Sequence, residues 1–132
     1  MAKENQLPDF KEKRKTLYSS NTAKEMLVDY GNRLLAAQRI NDALDFYEKA
    51  EYEDGINKIL TMSLNDGDTF VFARVAKILK NRVSAKDWNR VGDNAAERGK
   101  YHFALRAYKN SGNQEGVHRI EQILAGKGQD AK

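Results

Sequence analysis

The chain resembles itself at an offset of 61 residues, and this limits its fold more than any other feature. With 31–60 laid over 92–121, Gly31 meets Gly92, Ala43 meets Ala104 and Leu44 meets Leu105. Tyr47 meets Tyr108, Gly55 meets Gly116 and Ile59 meets Ile120. Near matches join them: Ala50 with Ser111, Asp54 with Glu115, Ile56 with Val117, Lys58 with Arg119. Small, aromatic and branched residues set how closely helices pack. A repeated packing unit therefore implies a stacked helical array in which each unit buries its apolar side against neighbours. Such an array builds surfaces rather than reaction centres, which points to binding another macromolecule.

Helical reading is favoured by the proline distribution. The single proline is Pro8, so none interrupts the chain from 21 to 124. Thr22 and Glu25 form a capping box that predicts a first helix, with Met26, Leu27, Tyr30, Leu34 and Ala37 on its inner face. A second is expected at about 41–50, with Ala43, Leu44 and Tyr47 inward, and a third at about 54–63 with Ile56, Ile59 and Leu60. Asn65-Asp66-Gly67-Asp68 fails as a calcium loop, because the twelfth position from Asn65 is Ala76 rather than a bidentate glutamate. It reads as a turn at Gly67 and a cap at Asp68. The fourth helix, about 69–81, is apolar over a wide arc that includes Phe70 and Phe72, as expected of a helix packed on several sides. Ser84 and Asp87 cap a fifth, Gly99 turns into a sixth, and Ser111-Gly112-Asn113 turns into a last helix holding Val117, Ile120, Ile123 and Leu124. About seven antiparallel helices without strands make an all-α protein.

The repeats resemble tetratricopeptide repeats. Trp88, Val91, Gly92 and Ala95 fall at that family's first-helix positions, and Ala104, Tyr108 and Ser111 at its second-helix positions. The earlier copy reads Leu27, Tyr30, Gly31 and Leu34, then Ala43, Tyr47 and Ala50. In packing terms Gly31 and Gly92 let helices approach, Ala43 and Ala104 answer them, and Leu27, Trp88, Tyr47 and Tyr108 fill the remaining volume. Gly55 and Gly116 stand where the family often has proline. The family's unit is ~34 residues, so a 61-residue offset leaves roughly 27 for a middle pair, expected to be short and degenerate. The resemblance implies a right-handed α-solenoid over 21–125. The charge run Lys11–Lys15 gives the expectation of a flexible basic arm at 1–20, or a short helix that orders on a partner, and Gly126 and Gly128 that of a disordered tail at 126–132.

The resemblance also implies a concave groove lined by first helices. Its candidates are Glu25, Val28, Asn32 and Leu35 in one copy, and Lys86, Asn89, Asp93 and Ala96 in the other. Peptide-binding members hold a terminal carboxylate with lysine, asparagine and arginine, and Asn32, Lys86 and Arg90 are similar in place. Asn32, Lys86, Asn89, Arg90 and Asp93 are thus the candidate partner contacts. Phe46, Tyr52, Tyr101 and Phe103 gather near turns, as an exposed recognition edge or as ordinary inter-repeat packing.

Catalysis is not expected. There are no cysteines, and the two histidines, His102 and His118, lack zinc-pair spacing. No phosphate loop or nucleophile elbow occurs, so neither cofactor nor metal is expected. The start of the chain carries charge without an apolar segment, and no run approaches a membrane span, which gives an expectation of a cytoplasmic protein. A net charge of +4 leaves an alternative open, RNA, DNA or another polyanion bound through Lys11–Lys15, Lys80, Arg82, Lys86, Arg90 and the tail lysines. A further alternative is self-assembly, such as a homodimer through the last helix. The leading expectation is a protein–protein interaction module or adaptor.

Overall fold

The structure, a computed structural model, describes residues 23–130. Seven α-helices occupy them: α1 Lys24–Ala36, α2 Ile40–Lys49, α3 Glu53–Asp66, α4 Thr69–Leu79, α5 Ala85–Glu97, α6 Tyr101–Ser111 and α7 Gln114–Asp130. A 3-10 turn over Lys80–Arg82 follows α4, and no strand occurs among the described residues. The protein is all-helical, as the periodicity and the proline distribution predict. Contacts divide the chain into two compact units, Met1–Ile59 and Leu60–Lys132, with the division inside α3.

Helix ends follow local chemistry. Asp68 caps α4 by accepting from the Val71 N–H at 3.1 Å. Ser84 and Asp87 close the predicted capping box on α5: Ser84 Oγ accepts from the Asp87 N–H, and Asp87 Oδ2 accepts from the Ser84 N–H at 3.0 Å. The predicted cap at Thr22 lies outside the described residues, and Ala23 occupies the N-cap position of α1 without a side-chain hydrogen bond. The arm at 1–20, including Lys11–Lys15, also lies outside them, as do 131–132. Helix α7 runs on through Gly126 and Gly128 to Asp130, where a tail was expected from 126. Glycine costs an exposed helix roughly 1 kcal/mol relative to alanine, which weakens a last turn without ending it.

The middle pair differs from expectation. Helices α3 and α4 have 14 and 11 residues, no shorter than their counterparts. First helices of successive pairs begin at Lys24, Glu53 and Ala85, and α7 begins at Gln114, so the steps are 29, 32 and 29 residues. Along the sequence the helix pairs are spaced nearly evenly, at less than the ~34 residues expected, and the middle pair is irregular in composition rather than in length. In α2 and α6 the fourth residue is small (Ala43, Ala104) and the eighth is tyrosine (Tyr47, Tyr108). In α4 the order is reversed, with Phe72 fourth and Ala76 eighth. The eighth residue of α1 and α5 is glycine, whereas that of α3 is Leu60. Bulk has been exchanged between positions in α4 and added at Leu60 in α3, which erases the pattern.

In the first unit α1 packs on α2, and Leu27, Leu34, Leu44, Phe46, Tyr47 and Ile59 are buried. In the second, Leu64, Phe72, Val91 and Ala107 form one cluster, with Leu60, Val83 and Trp88 against it. The Trp88 and Phe72 rings meet edge to face at 4.8 Å between centroids. Ala95, Ala104, Tyr108 and Ile120 form another, flanked by Tyr101 and Phe103. The predicted packing residues Leu27, Gly31, Ala43, Tyr47, Gly92, Ala104 and Tyr108 are buried, and Trp88 is half-buried.

Three apolar assignments change. Met26 and Ala37, expected inward on α1, are exposed, Met26 by 52%. Phe70 is 57% exposed because residue 70 follows the buried Thr69, whose hydroxyl donates to the Phe103 carbonyl and turns that position inward instead. Of the two alternatives for the aromatic residues near the turns, these positions follow packing: Phe46 is 0% exposed and lies 5.6 Å from Tyr30, and Tyr101 and Phe103 are half-buried against the α6 cluster.

Candidate partner-binding faces

Each copy of the repeat is organised around a tyrosine held between two glycines. A Cβ on Gly31 would stand 2.5 Å from Tyr47 Cε1, and one on Gly55 would stand 2.7 Å from Cδ2 on the other side of the same ring. Tyr108 sits likewise, 2.8 Å from a Cβ on Gly92 and 2.8 Å from one on Gly116. Only glycine permits this approach. The phenol tips emerge at equivalent places: Tyr47 OH donates to Asn32 Oδ1 at 2.6 Å, and Tyr108 OH donates to Asp93 Oδ1 at 2.5 Å. Asn32 and Asp93 are themselves 61 residues apart.

The acceptors differ, and so does the electrostatics. Burial, then the Asp93 carboxylate that accepts its proton, pushes the Tyr108 phenol up to about 12. The Arg119 guanidinium, 5.7 Å from the ring centroid and donating to the phenol oxygen at 3.2 Å, opposes that rise. Burial, helped by the neighbouring Tyr52, raises the Tyr47 phenol. Neither tyrosine is poised to lose a proton near neutral pH.

The expected partner contacts divide into two kinds. Asn32 and Asp93 hold the tyrosines. Asn89 Oδ1 accepts from Asn113 Nδ2 at 2.6 Å, while Asn113 Oδ1 accepts from the Gly116 N–H at 2.9 Å and so starts α7. These three groups serve packing and capping. Lys86 and Arg90, one turn apart on α5, remain exposed, and neither makes an ion pair among the described residues. Asn32 belongs to the first unit and Lys86 and Arg90 to the second.

A concavity of ≈ 440 Å³ lies on the first unit, lined by Lys24, Glu25, Val28, Asp29, Asn32 and Tyr52. It contains Glu25, Val28 and Asn32, three of the four positions expected to face a groove in that copy. Leu35, the fourth, is buried in the core instead. Lys24, Asp29 and Tyr52 were missed as lining. Asp29 stands one turn beyond Glu25, a spacing that places both on one face. Tyr52, for which the sequence leaves both an exposed edge and ordinary packing open, has its ring 5.5 Å from that of Tyr47.

On the second unit a depression of ≈ 380 Å³ is lined by His102, Leu105, Arg106, Lys109 and Asn110 of α6. Another of ≈ 330 Å³, between α6 and α7, is lined by residues including Lys109, Val117, His118 and Glu121. Arg98 and Lys100 are engaged elsewhere, donating to the Asn65 and Asp66 carbonyls at the C-terminal end of α3. Among the described residues no helix is long and apolar enough to cross a membrane, and no group of three or more His, Asp or Glu could hold a metal ion. No known protein family, curated protein or solved structure matches the chain.

Proposed function

We propose that the chain is a tetratricopeptide-like right-handed α-solenoid acting in the cytoplasm as a non-catalytic module, which binds a peptide or helix of another protein on the faces of its first helices. The observation that carries this reading is the concavity beside α1, whose lining includes Glu25, Val28 and Asn32, three of the four positions the repeat pattern assigns to a groove in that copy. It is supported by the doubled tyrosine–glycine packing, which presents α1 and α5 in the same register. A mostly apolar depression with a few polar groups on its rim suits a side chain or short peptide.

The test is capture of partners with immobilised wild type, with Val28→Arg in the α1 face, and with Lys86→Ala/Arg90→Ala in the α5 face, each with and without nuclease. A protein retained through nuclease and lost with a face variant is the expected result. Capture unaffected by every variant would remove the groove. A polyanion reading draws on one feature, the His102, Arg106 and Lys109 lining of the α6 depression. It requires recovery that vanishes with nuclease and affinity that falls steeply with salt.

A further inference from the structure

The two first-helix faces carry opposite charge at equivalent positions. On α1, Glu25 and Asp29 are exposed one turn apart. Sixty-one residues later, α5 places Lys86 and Arg90 at the same two positions, also exposed. The equivalence is geometric as well as sequential. Asn32 and Asp93 accept from Tyr47 and Tyr108 in the same way, so each helix is rotated alike on its own core. Glu25 corresponds to Lys86, and Asp29 to Arg90. Both pairs are inverted in sign, and the one carboxylate that α5 adds, Asp93 in the place of the neutral Asn32, accepts from the Tyr108 phenol.

We infer that the α1 face of one chain docks on the α5 face of a second copy. The proposal rests on the reading that first-helix faces bind protein, and it names the partner. The acidic face requires a basic partner and the basic face an acidic one. A second copy supplies both, at the spacing of one helical turn that each face presents. The shapes agree with the charges. The concavity flanked by Glu25 and Asp29 has Val28 and Tyr52 in its lining, a surface that takes the aliphatic stem of Arg90 while the guanidinium meets carboxylates and the tyrosine ring. Asp29 is paired with Arg33 at 2.7 Å yet keeps its side chain 58% exposed, so it can accept a second cation. Lys24, on the same rim, opposes a cation and sets the register by repulsion. Each chain bears one face of each sign, so association closes into a pair or continues head to tail, and the mass distinguishes these.

The experiment is mass measurement by light scattering and sedimentation of the full chain, a 15.0 kDa monomer. Salt is varied from about 0.01 M to about 1 M, which shortens the screening length from ~30 Å to ~3 Å. Two variants accompany the wild type. Lys86→Glu/Arg90→Glu makes both faces acidic, and Glu25→Lys/Asp29→Lys makes both basic. The wild type is expected to associate at low salt and dissociate at high salt. Each variant alone is expected to stay monomeric, and an equimolar mixture of the two to associate again. Reassociation in the mixture itself shows that both variants are folded, and circular dichroism of each gives a second check. A wild type monomeric at low salt overturns the proposal. So does association that survives in either variant alone, or a mixture of folded variants that stays monomeric. A monomer that still captures another protein through these faces overturns this inference alone and leaves the adaptor reading standing.

Discussion

Alanine at Gly31 should destabilise the protein, although alanine favours helix more than glycine does. Gly31 lies in the middle of α1, where the substitution alone would gain about 1 kcal/mol from propensity. Against this, the new Cβ would sit 2.5 Å from Tyr47 Cε1 and 2.8 Å from Cδ1. The ring has nowhere to go. Gly55 closes its other side, the phenol is tied to Asn32, and the side chain is buried. Overpacking of this kind costs about 1–3 kcal/mol or more. With both sides of the ring blocked, the upper end applies, so Gly31→Ala is expected to lose about 1–2 kcal/mol net. Urea denaturation followed by circular dichroism gives the value, and Tyr47→Leu supplies the control. Once the ring is gone, alanine at 31 should become neutral or stabilising, a coupling of at least ~1 kcal/mol in the double-mutant cycle. Gly92 and Tyr108 offer an internal replicate with a slightly looser 2.8 Å approach and a correspondingly smaller loss. A Gly31→Ala variant more stable than wild type, or a cycle showing no coupling, would refute the argument that the tyrosine ring dictates glycine there.

The left-handed turn positions predict the opposite sign. Gln38 and Glu51 have φ of 63° and 53° where the second copy has Gly99 and Gly112 at 75° and 77°. Gln38→Gly and Glu51→Gly should each stabilise by up to about 1 kcal/mol, and Gly99→Ala and Gly112→Ala should cost a similar amount, all read from denaturation midpoints. Tyr108 gives a pH dependence. Its proton is held more tightly in the folded protein than in the unfolded chain, so stability is unaffected below pH ~10 and falls between about 10 and 12, by at most about 3 kcal/mol. Subtracting the profile of Tyr108→Phe isolates this loss from lysine titration, and identical profiles would refute the assignment. Ser84→Ala should cost about 1 kcal/mol through loss of the capping box on α5, and Asp87→Ala a comparable amount, with little added in the double mutant.

Much of the fold was legible in the residue order. Asp68, Ser84 and Gly112 begin or end helices through bonds to their own neighbours, so their chemistry is readable over three or four positions. The doubled tyrosine–glycine packing was legible because the same residue types recur at one spacing. The middle pair was not. With Phe72 and Ala76 in exchanged order and Leu60 in a glycine's place, a comparison of positions finds nothing to match.

The candidate faces show the same division. That residues 25, 28 and 32 share a side of α1 follows from helical periodicity alone. That Asn32, Asn89 and Asp93 are engaged with Tyr47, Asn113 and Tyr108 does not follow, because an amide or carboxylate on that side serves solvent, partner or neighbour equally well until distances are known. Residue order therefore determined the helices, their caps and the paired tyrosine sites, all of which depend on local bonding or on residue identity at a fixed interval. Tertiary structure alone decided how volume is shared in the middle pair and which polar groups remain for a partner. Packing volume is summed over several helices, and a hydrogen bond joins groups brought together only when the chain folds.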